Sequence, residues 1–328
     1  MALTSIYQMK KIAIVYGGFS AEAGISAKSA AVAKKFICAN TYTTFMVRIG
    51  LTGWFLELEG ESYPIDKNNF GAMVQGKPFL FDGVFIAIHG DPGENGVLQA
   101  YFDLIKMPYN TSGSFAAAMT FDKGSCNSIL RQKGIKVAES YWYQKGIALD
   151  EEVILKRVGL PCFVKPNRGG SSYGISKVSK AEDLQKAINF ALEHDSEVII
   201  EAYVRGTEAS CGCLNYIDGI KALPITEIVV EGEFFDYAAK YEGKSQEITP
   251  ARLDLETTLK IQNTTELIYK MMQLNGMARV DYIIQDGEPF VIEINTVPGL
   301  SEESILPQQA NAAGISMKDF FTKSLSFI

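Results

Sequence analysis

The segment that most constrains the fold is the continuous apolar run KKIAIVYGG at residues 10–18, which ends in two glycines. The residues that follow, FSAEAGISAKSAAVAKKFI, have the pattern of a loop that enters an amphipathic helix. A buried strand, a glycine turn and a helix in this order are typical of a domain that alternates strands and helices around a parallel sheet. We therefore predict an α/β fold for the start of the chain.

The same pattern continues through the first third of the chain. It predicts strands at TYTTFMVRIG and FDGVFIAIHG, a helix from about Val97 to Ile105, and a short last strand with an exit loop at MPYNTSG. Residues 1–8 precede the first strand and are left out of the fold prediction. Because 328 residues are too many for one small core, we expect several domains. Their predicted bounds are residues 1–111, 112–200 and 201–328.

The middle of the chain alternates helices and strands less regularly. SFAAAMTFDKGSCNSILRQKG predicts two helices, and strands are predicted at KVAESYWY, LPCFVKP, ISKVS and SEVIIEAYV. The loop NRGGSSYG, rich in glycine and serine, separates LPCFVKP from ISKVS. Ser179 and Glu182 have the spacing of a capping box at the start of a further helix.

The last third is predicted to be mixed, with strands at CGCLNYI, KALPITEIVV and FFDYAAKY. A helix in LETTLKIQNTTELIYKMMQLNG is expected to end on Gly276. Two apolar runs, MARVDYIIQ and EPFVIEIN, flank the turn signal Asp286-Gly287 and predict a β-hairpin.

Charge and composition exclude several classes of protein. The net charge of −7 leaves no basic excess for binding nucleic-acid phosphates. No apolar run approaches the ~18 residues of a membrane span, and the first residues do not resemble a secretory signal. The five cysteines include no CxxC pair, and a soft-metal site at Cys211 and Cys213 would need two more ligands. We expect free thiols in a reducing compartment and predict a cytoplasmic protein.

Several short motifs match a known signature only in part. GAMVQGK at residues 71–77 has the spacing of a P-loop, but Pro78 stands where the magnesium-binding hydroxyl belongs. GKS at residues 243–245 lacks the first glycine, and both segments are predicted to be surface loops. GGFSAE is not the glycine pattern of an NAD site. GSSYG fits the nucleophile elbow of a serine hydrolase with Ser172, but a strand rather than a helix follows, so that function is a remote alternative.

The predicted hairpin carries polar side chains that a buried strand rarely tolerates. Side chains alternate along a strand, so Glu293 and Asn295 share one face, as do Arg279 and Asp281. Pairing of the two strands would bring these groups together. Three oxygen donors on rigid strands suit Mg²⁺ that bridges nucleotide phosphates. An ion pair of Arg279 with Glu293, without metal, explains the same pattern equally well.

Two lysines and the glycine/serine loop point to a phosphate site. Lys165 ends the strand just before GSSYG, and Lys123 begins a predicted helix. Small residues let backbone N–H groups approach phosphate oxygens closely. Each lysine taken alone is explained as well by an exposed, solvated side chain.

Taken together, these segments resemble the ATP-grasp superfamily. The segments that carry the resemblance are Lys123, VKP with Lys165, GSSYG, IIE with Glu201, and RVDY followed by EINTVPG. GGFSAE, IAIHGDPGENGVLQ and PYNTSG are similar to the D-alanine–D-alanine ligases within that superfamily. The resemblance runs from about Lys10 to the C-terminus.

The resemblance implies a Rossmann-like N-terminal domain at 1–111 and two ATP-grasp subdomains, at 112–200 and 201–328, that clamp ATP. It implies two Mg²⁺ or Mn²⁺ ions held by Asp281, Glu293 and Asn295. The family's ATP-contacting positions correspond to Lys123, Lys165, Ser171, Ser172, Glu201, Ala202, Tyr203, Val204, Glu208 and Lys240.

The implied reaction joins two D-alanine molecules through an acyl phosphate, releases ADP and phosphate, and serves peptidoglycan synthesis. Glu22 corresponds to the residue that holds the first ammonium group, and Arg279 with the N–H of Gly299 to the groups that stabilise the oxyanion. The other implied positions are Ser304 and Ile305 for the second substrate, the hydrogen-bonded pair Ser171 and Tyr241, and His89. A satisfied structural histidine also explains His89. The family is commonly dimeric, so a homodimer is expected.

Some residues depart from the family pattern and keep alternatives open. Ala23 and Gly24 replace a bulky or charged pair, and Gly169 replaces an acidic residue. The alternatives are a ligase that uses D-lactate or D-serine, another ATP-grasp carboxylate–amine ligase, and an inert ATP-binding protein. Tyr241 favours the dipeptide, since ester-forming relatives tend to have histidine there. FFDYAAKYEGKSQ, together with GSSYG, is predicted to form a lid over the site.

Overall fold

A computed structural model describes residues 9–170, 173–216, 219–230, 245–326 and 328. Its first part confirms the predicted α/β opening, with β1 parallel to both β2 and β7. The sheet has the strand order β6-β5-β4-β3-β2-β1-β7. Its elements are β1 (Lys10–Gly17), α1 (Ala23–Phe36), β2 (Tyr42–Gly50), β3 (Gly53–Leu58), β4 (Glu61–Asp66), β5 (Gly71–Val74), β6 (Lys77–Phe79), β7 (Gly83–Ile86) and α2 (Val97–Leu104).

Strands β3 to β6 form an antiparallel extension of this sheet that the sequence analysis missed. The prediction of a surface loop at residues 71–77 was wrong, because β5 and β6 form a hairpin there. Gln75 and Gly76 both have positive φ, 49° and 76°, as tight hairpin turns require. The strand predicted at MPYNTSG is reduced to one isolated bridge between Tyr109 and Val84.

The middle of the chain forms a separate four-stranded antiparallel sheet in the order β10-β9-β11-β8. The predicted capping box at Ser179 was wrong, because a 3₁₀ turn at Ala181–Asp183 precedes the helix and has Lys180 at its N-cap. The elements are α3 (Ser114–Phe121), α4 (Lys123–Gln132), β8 (Ser140–Gln144), α5 (Glu151–Val158), β9 (Cys162–Pro166), β10 (Ser176–Val178), α6 (Leu184–Ala191) and β11 (Glu197–Ala202).

The last part contains a mixed region around a sheet in the order β15-β14-β12-β16-β17, with β13 paired to β12. KALPITEIVV forms two strands rather than one, and the strand predicted at FFDYAAKY lies outside the described residues. The elements are β12 (Thr207–Tyr216), β13 (Gly219–Ala222), β14 (Thr226–Val230), β15 (Ser245–Ile248), α7 (Leu255–Met271), β16 (Met277–Gln285), β17 (Glu288–Asn295), α8 (Ile305–Ala312) and α9 (Met317–Lys323).

The predicted hairpin of β16 and β17 is confirmed. Asp286 and Gly287 have φ of 52° and 74°, and Asp281 pairs with Glu293 across the two strands. The register shifts between Asp281 and Tyr282, which marks a bulge. Bulges re-aim side chains, and this one lies at the polar end of the hairpin.

The hydrophobic cores cross the predicted domain limits. Ile12 and Phe85 of the first sheet share one core with Leu306, Phe320 and Phe321 of the C-terminal helices. The middle sheet has its own core, which includes Val164 and Ile188. The C-terminal helices therefore pack on the N-terminal sheet, whereas the middle sheet has a core of its own.

All five cysteines are free, and four of them are buried, which confirms the prediction of unpaired thiols. In the part of the chain that the structure describes, no helix has the length and apolar character needed to cross a membrane.

Candidate active site

The polar end of the hairpin is organised around Asp281. Arg279 donates to both of its carboxylate oxygens, from Nε and Nη2, at 2.7 Å each. The Ser210 hydroxyl donates at 2.5 Å and the Asn295 amide at 3.0 Å. The ion pair that the sequence analysis considered between Arg279 and Glu293 is thus made with Asp281 instead.

Arg279 stays charged in this buried place. Burial acts to lower the pKa of its guanidinium, but the charge and hydrogen bonds of Asp281, followed by the charges of Glu293 and Glu94, raise the pKa above its ordinary value. A permanent cation is therefore held beside a group of carboxylates.

The donor set fits a hard divalent cation. Asp281 and Glu293 are direct neighbours across the hairpin, and Asn295 follows on the same face. Within the described ranges, no group of three or more His, Cys, Asp or Glu residues could hold a metal, so the amide oxygen of Asn295 would complete the set. Asp281 already accepts four hydrogen bonds, which means that a cation at this carboxylate would compete with them.

Lys165 points into the cleft from β9 as part of a buried ion pair. Its Nζ lies 2.5 Å from Oε2 of Glu201, and Asn127 donates to the other oxygen of that carboxylate at 2.7 Å. Lys165 and Glu201 are 6% and 7% exposed. A buried ammonium of this kind is tolerated because it is paired. Incoming phosphate oxygens could bind Lys165 Nζ alongside the Glu201 carboxylate.

Lys123 begins α4, which is capped by the Asp122 side chain. Its Nζ donates to the carbonyl oxygen of Gly169 at 2.7 Å and lies 3.9 Å from Oε2 of Glu293. Lys123 thus connects the base of the glycine/serine loop with the carboxylates of the hairpin.

An apolar cleft adjoins Lys165. Phe163 and Tyr203 lie on its wall with ring centroids 6.0 Å apart. The predicted positions Glu201, Ala202, Tyr203, Val204 and Glu208 all line this cleft, together with Ile283, Phe290 and Ile292. Its walls suit a flat, apolar ring system.

A second pocket opens on the other side of Arg279 and Glu293. It brings together Glu22, His89, Arg279, Gly299, Ser304 and Ile305, which the sequence analysis placed in one substrate site. Glu22 lies against the glycine/serine loop, since a Cβ on Gly170 would be 3.0 Å from its carboxylate. The loop and the pocket are therefore in direct contact.

His89 is buried and both of its ring nitrogens are engaged. Nδ1 lies 2.7 Å from the carbonyl oxygen of Val297, and Nε2 lies 2.9 Å from the Ser29 hydroxyl. Because a carbonyl only accepts, Nδ1 carries the proton and Nε2 accepts from Ser29. The same hydroxyl accepts from the N–H of Leu300 at 3.3 Å. Burial lowers the pKa of His89, which keeps this arrangement neutral.

Glu94 holds the same segment from the other side. Its carboxylate accepts from the N–H of Gly90 at 2.7 Å and of Val297 at 3.2 Å. Burial, with the charge of Glu22, raises its pKa to about 8. His89 and Glu94 together fix the backbone on either side of Gly299.

Ser304 lies at the entrance to α8. Its hydroxyl accepts from the N–H of Ser301 at 3.1 Å, and a Cβ on Gly299 would come within 2.9 Å of it. Ser304 and Ile305, the N-cap and first residue of α8, both line the pocket, and a helix N-terminus favours a carboxylate.

The sequence analysis missed several residues that the structure places in these sites. The substrate pocket is also lined by Ile25, Lys28, Glu94, Glu247 and Glu303. Asn167 braces the start of α4, where its side chain accepts from the N–H of Gly124. Asn167 directly follows VKP, and Glu94 lies in the polar loop DPGENG, so position beside a strand end was a usable signal for both. Ser171, Ser172, Lys240 and Tyr241, and most of the predicted lid, lie outside the described residues.

Comparison with known proteins gives a consistent result. The family model described as the N-terminus of D-ala D-ala ligase matches residues 11–112, and the model of its C-terminus matches residues 129–326. The chain is 48% identical to a D-alanine–D-alanine ligase of Flavobacterium johnsoniae, over 97% of this chain and 98% of the relative.

Two solved structures are similar over nearly the whole chain. The D-Ala:D-Ser ligase VanG from Enterococcus faecalis is 30% identical with a TM-score of 0.86, over 98% of this chain and 99% of that one. The D-alanine–D-alanine ligase from Bacillus anthracis complexed with ATP is 26% identical with a TM-score of 0.79, over 97% of each chain.

Proposed function

The chain belongs to the D-alanine–D-alanine ligase family, and we propose that it joins two D-alanine molecules into D-alanyl-D-alanine for peptidoglycan synthesis, driven by ATP. One observation carries the proposal. Two buried lysines, a pair of neighbouring carboxylates and a pocket with a cation and helix N–H groups converge on one cleft. Phosphoryl transfer to a carboxylate needs such charge neutralisation and positioning.

We assign the apolar cleft to the adenine of ATP, with Glu201 to Val204 along its edge and Glu208 at the ribose. Lys123 and Lys165 would neutralise the phosphates, and both are already held by partners that fix their direction, Gly169 for Lys123 and the buried Glu201 for Lys165. Ser171, Ser172 and Lys240 complete the proposed set from segments outside the described residues.

Asp281, Glu293 and Asn295 are proposed to hold two Mg²⁺ or Mn²⁺ ions. When bound, the ions would neutralise the phosphate oxygens of ATP. Asp281 also accepts hydrogen bonds from Arg279, Ser210 and Asn295, so the carboxylate that would hold a cation is the one that orients Arg279.

In the proposed reaction, a carboxylate oxygen of the first D-alanine attacks the terminal phosphorus of ATP, and ADP leaves. The amine of the second D-alanine then attacks the acyl phosphate carbon. The oxyanion of the tetrahedral intermediate collapses, phosphate leaves, and the amine loses a proton. Glu22 binds the ammonium group of the first D-alanine, while Arg279 and the N–H of Gly299 bind the oxyanion. Ser304 and Ile305 receive the carboxylate of the second D-alanine.

His89 contributes position rather than chemistry, because both of its nitrogens hold the walls of the pocket. The proposed pair of Ser171 and Tyr241 would link the loop and the lid to the active site. Closure of these segments would keep water from the acyl phosphate.

We also propose a homodimer formed through the N-terminal domain and a cytoplasmic location, where ATP and reduced thiols coexist. A dimeric state in solution, measured by light scattering, would support the first proposal.

The acceptor is the least constrained part of the proposal, since VanG is similar over nearly its whole length. The test is ATP-dependent phosphate release with Mg²⁺ and D-alanine, with the product identified by mass spectrometry. D-serine, D-lactate and L-alanine are offered in parallel. We expect D-alanyl-D-alanine as the main product and none from L-alanine; a mixed dipeptide or ester as the main product would overturn the choice of acceptor.

A pair of variants on β17 tests the metal assignment in the same assay. Glu293→Ala should lower turnover by at least about 100-fold, because the lost charge stabilisation is worth several kcal/mol. Glu288→Ala is the control, since Glu288 pairs with Lys136 and Lys260 at the far end of the strand. Equal activity of the two variants would contradict the assignment.

A further inference from the structure

We propose that Lys28 binds the carboxylate of the second D-alanine and selects acceptors that carry this group; the inference rests on the proposed function. Lys28 lies on α1, and its side chain lines the same pocket as Glu22, Arg279 and Ser304. The sequence analysis assigned it no role.

The packing of α1 directs Lys28 toward this pocket. Ser29, its neighbour in the chain, accepts from the N–H of Leu300 at 3.3 Å. Lys35, two helical turns further along the same face, pairs with Glu302 at 2.6 Å. Lys28 directly precedes the first of these contacts, so α1 holds it alongside the segment that leads into α8.

The charges of the pocket leave Lys28 available for an anion. Lys28 and Arg279 are the cations among the lining residues in the described part of the chain. Arg279 is engaged by Asp281 through two hydrogen bonds of 2.7 Å. Within the described residues, Lys28 forms no ion pair with a carboxylate.

The second substrate supplies the anion that this cation lacks. The carboxylate of the first D-alanine is consumed by phosphorylation, whereas that of the second stays ionised from binding to product release. It must enter a pocket whose walls also hold Glu22, Glu247 and Glu303. An ammonium group at the rim offsets this repulsion and disfavours uncharged acceptors.

D-alaninamide isolates this interaction, because it has an amine but no carboxylate and can serve only as the acceptor. The wild-type protein is given D-alanine alone and then D-alanine with D-alaninamide, with ATP and Mg²⁺. Dipeptide and dipeptide amide are quantified by mass spectrometry. Lys28→Met removes the charge, Lys28→Arg keeps it, and Lys34→Met removes an exposed charge elsewhere on α1.

In Lys28→Met we expect KM for the second D-alanine to rise about tenfold, the usual worth of a hydrogen bond to a charged group. KM for ATP should be unchanged, and the ratio of dipeptide to dipeptide amide should fall by a similar factor. Lys28→Arg and Lys34→Met should keep the wild-type ratio.

An unchanged ratio in Lys28→Met, or an equal rise of KM for ATP, would overturn the inference. Failure of the proposed function is distinguishable, because the wild-type protein would then form no dipeptide from D-alanine alone.

Discussion

Asn167 joins the two halves of the proposed phosphate site through a single side chain. Its amide oxygen accepts from the N–H of Gly124 at 2.7 Å, and its amide nitrogen donates to Asp122 at 2.7 Å and Glu197 at 3.1 Å. The side chain is fully buried. It therefore sets the start of α4, and with it Lys123, relative to the glycine/serine loop.

Asn167→Asp keeps the shape but removes the donor and adds a charge between two carboxylates. We expect KM for ATP to rise at least about tenfold, from the loss of hydrogen bonds to charged groups, with a much smaller change for D-alanine. Steady-state kinetics with each substrate varied would measure this. Asn189→Asp, an exposed change on α6, is the control. A loss of thermal stability with unchanged KM for ATP would show a structural role only.

His89 should leave a signature in the pH dependence of stability. Burial lowers its pKa in the folded state below the ordinary value of 6.5. The unfolded chain therefore takes up a proton more readily, and stability that is present above pH 6.5 is lost as the pH falls. Between pH 7.5 and 5.5 the thermal midpoint of the wild type should fall relative to that of His89→Gln, because Glu94, whose raised pKa acts in the opposite direction, is present in both proteins.

His194→Gln is the comparison, since this other histidine is exposed. It should retain the wild-type fall. Parallel pH profiles for the wild type and His89→Gln would contradict the assignment of a buried, neutral imidazole.

At the scale of elements, the hairpin of β16 and β17 was the most predictable feature of the site. Asp286-Gly287 specified the turn, alternation specified the faces, and together they brought Asp281 next to Glu293. The partner of Arg279 was not predictable, because the bulge after Asp281 depends on packing that the pattern does not encode. Strands β3 to β6 were missed because they are short and carry half-exposed, mixed side chains.

Contacts between distant elements could not be predicted from the sequence either, because they depend on packing that the sequence pattern does not encode. Gln309 of α8 is fully buried and donates to the carbonyl oxygen of Ser210 at 2.8 Å while accepting from the N–H of Gly212 at 2.9 Å. It fills the gap where β12 leaves β14 and turns to β13. The position of Gln309 in the sequence pattern does not predict these contacts. They nevertheless fix α8, the helix that begins with the substrate residues Ser304 and Ile305.

Gly276, which follows α7, tests the contact between the last region and the N-terminal one. A Cβ there would lie 2.0 Å from the carbonyl oxygen of Asn110, and φ is +67°. Gly134 has a similar φ of +77° with no atom within 4 Å of a Cβ. Alanine at either position should cost about 1 kcal/mol for the left-handed backbone.

Gly276→Ala should cost a further 1–3 kcal/mol or so from overpacking, as measured by denaturant unfolding. Gly134→Ala carries the backbone cost alone and is the control. Equal losses of stability in the two variants would mean that the contact with Asn110 accommodates the added methyl group without strain.

At the scale of the whole molecule, the substrate pocket is built by parts of the chain that share a core. The C-terminal helices pack on the N-terminal sheet, and Lys35 pairs with Glu302 across their junction. The middle sheet, with its own core, supplies Lys165 and the glycine/serine loop. We therefore expect the middle sheet to move when the cleft closes over ATP, while the C-terminal helices keep their contacts with the N-terminal sheet.

The order of motifs along the chain predicted the α/β fold with an N-terminal domain and two ATP-grasp parts, because the resemblance to one family extends over nearly the whole chain. It did not predict which side chains brace the pocket. Glu94 and Asn167 form hydrogen bonds with residues distant in the chain, and Lys28 lines the pocket from α1. Such contacts become visible only once the parts are assembled.

The most direct test of the account follows one oxygen atom. D-alanine labelled with ¹⁸O in its carboxylate is converted with ATP and Mg²⁺, and the released phosphate is examined by mass spectrometry. If the carboxylate is phosphorylated and the amine then displaces phosphate, each phosphate carries one ¹⁸O from D-alanine. Unlabelled phosphate, formed at the same rate as product, would show that the carboxylate never bonded to phosphorus and would contradict the mechanism assigned to this cleft.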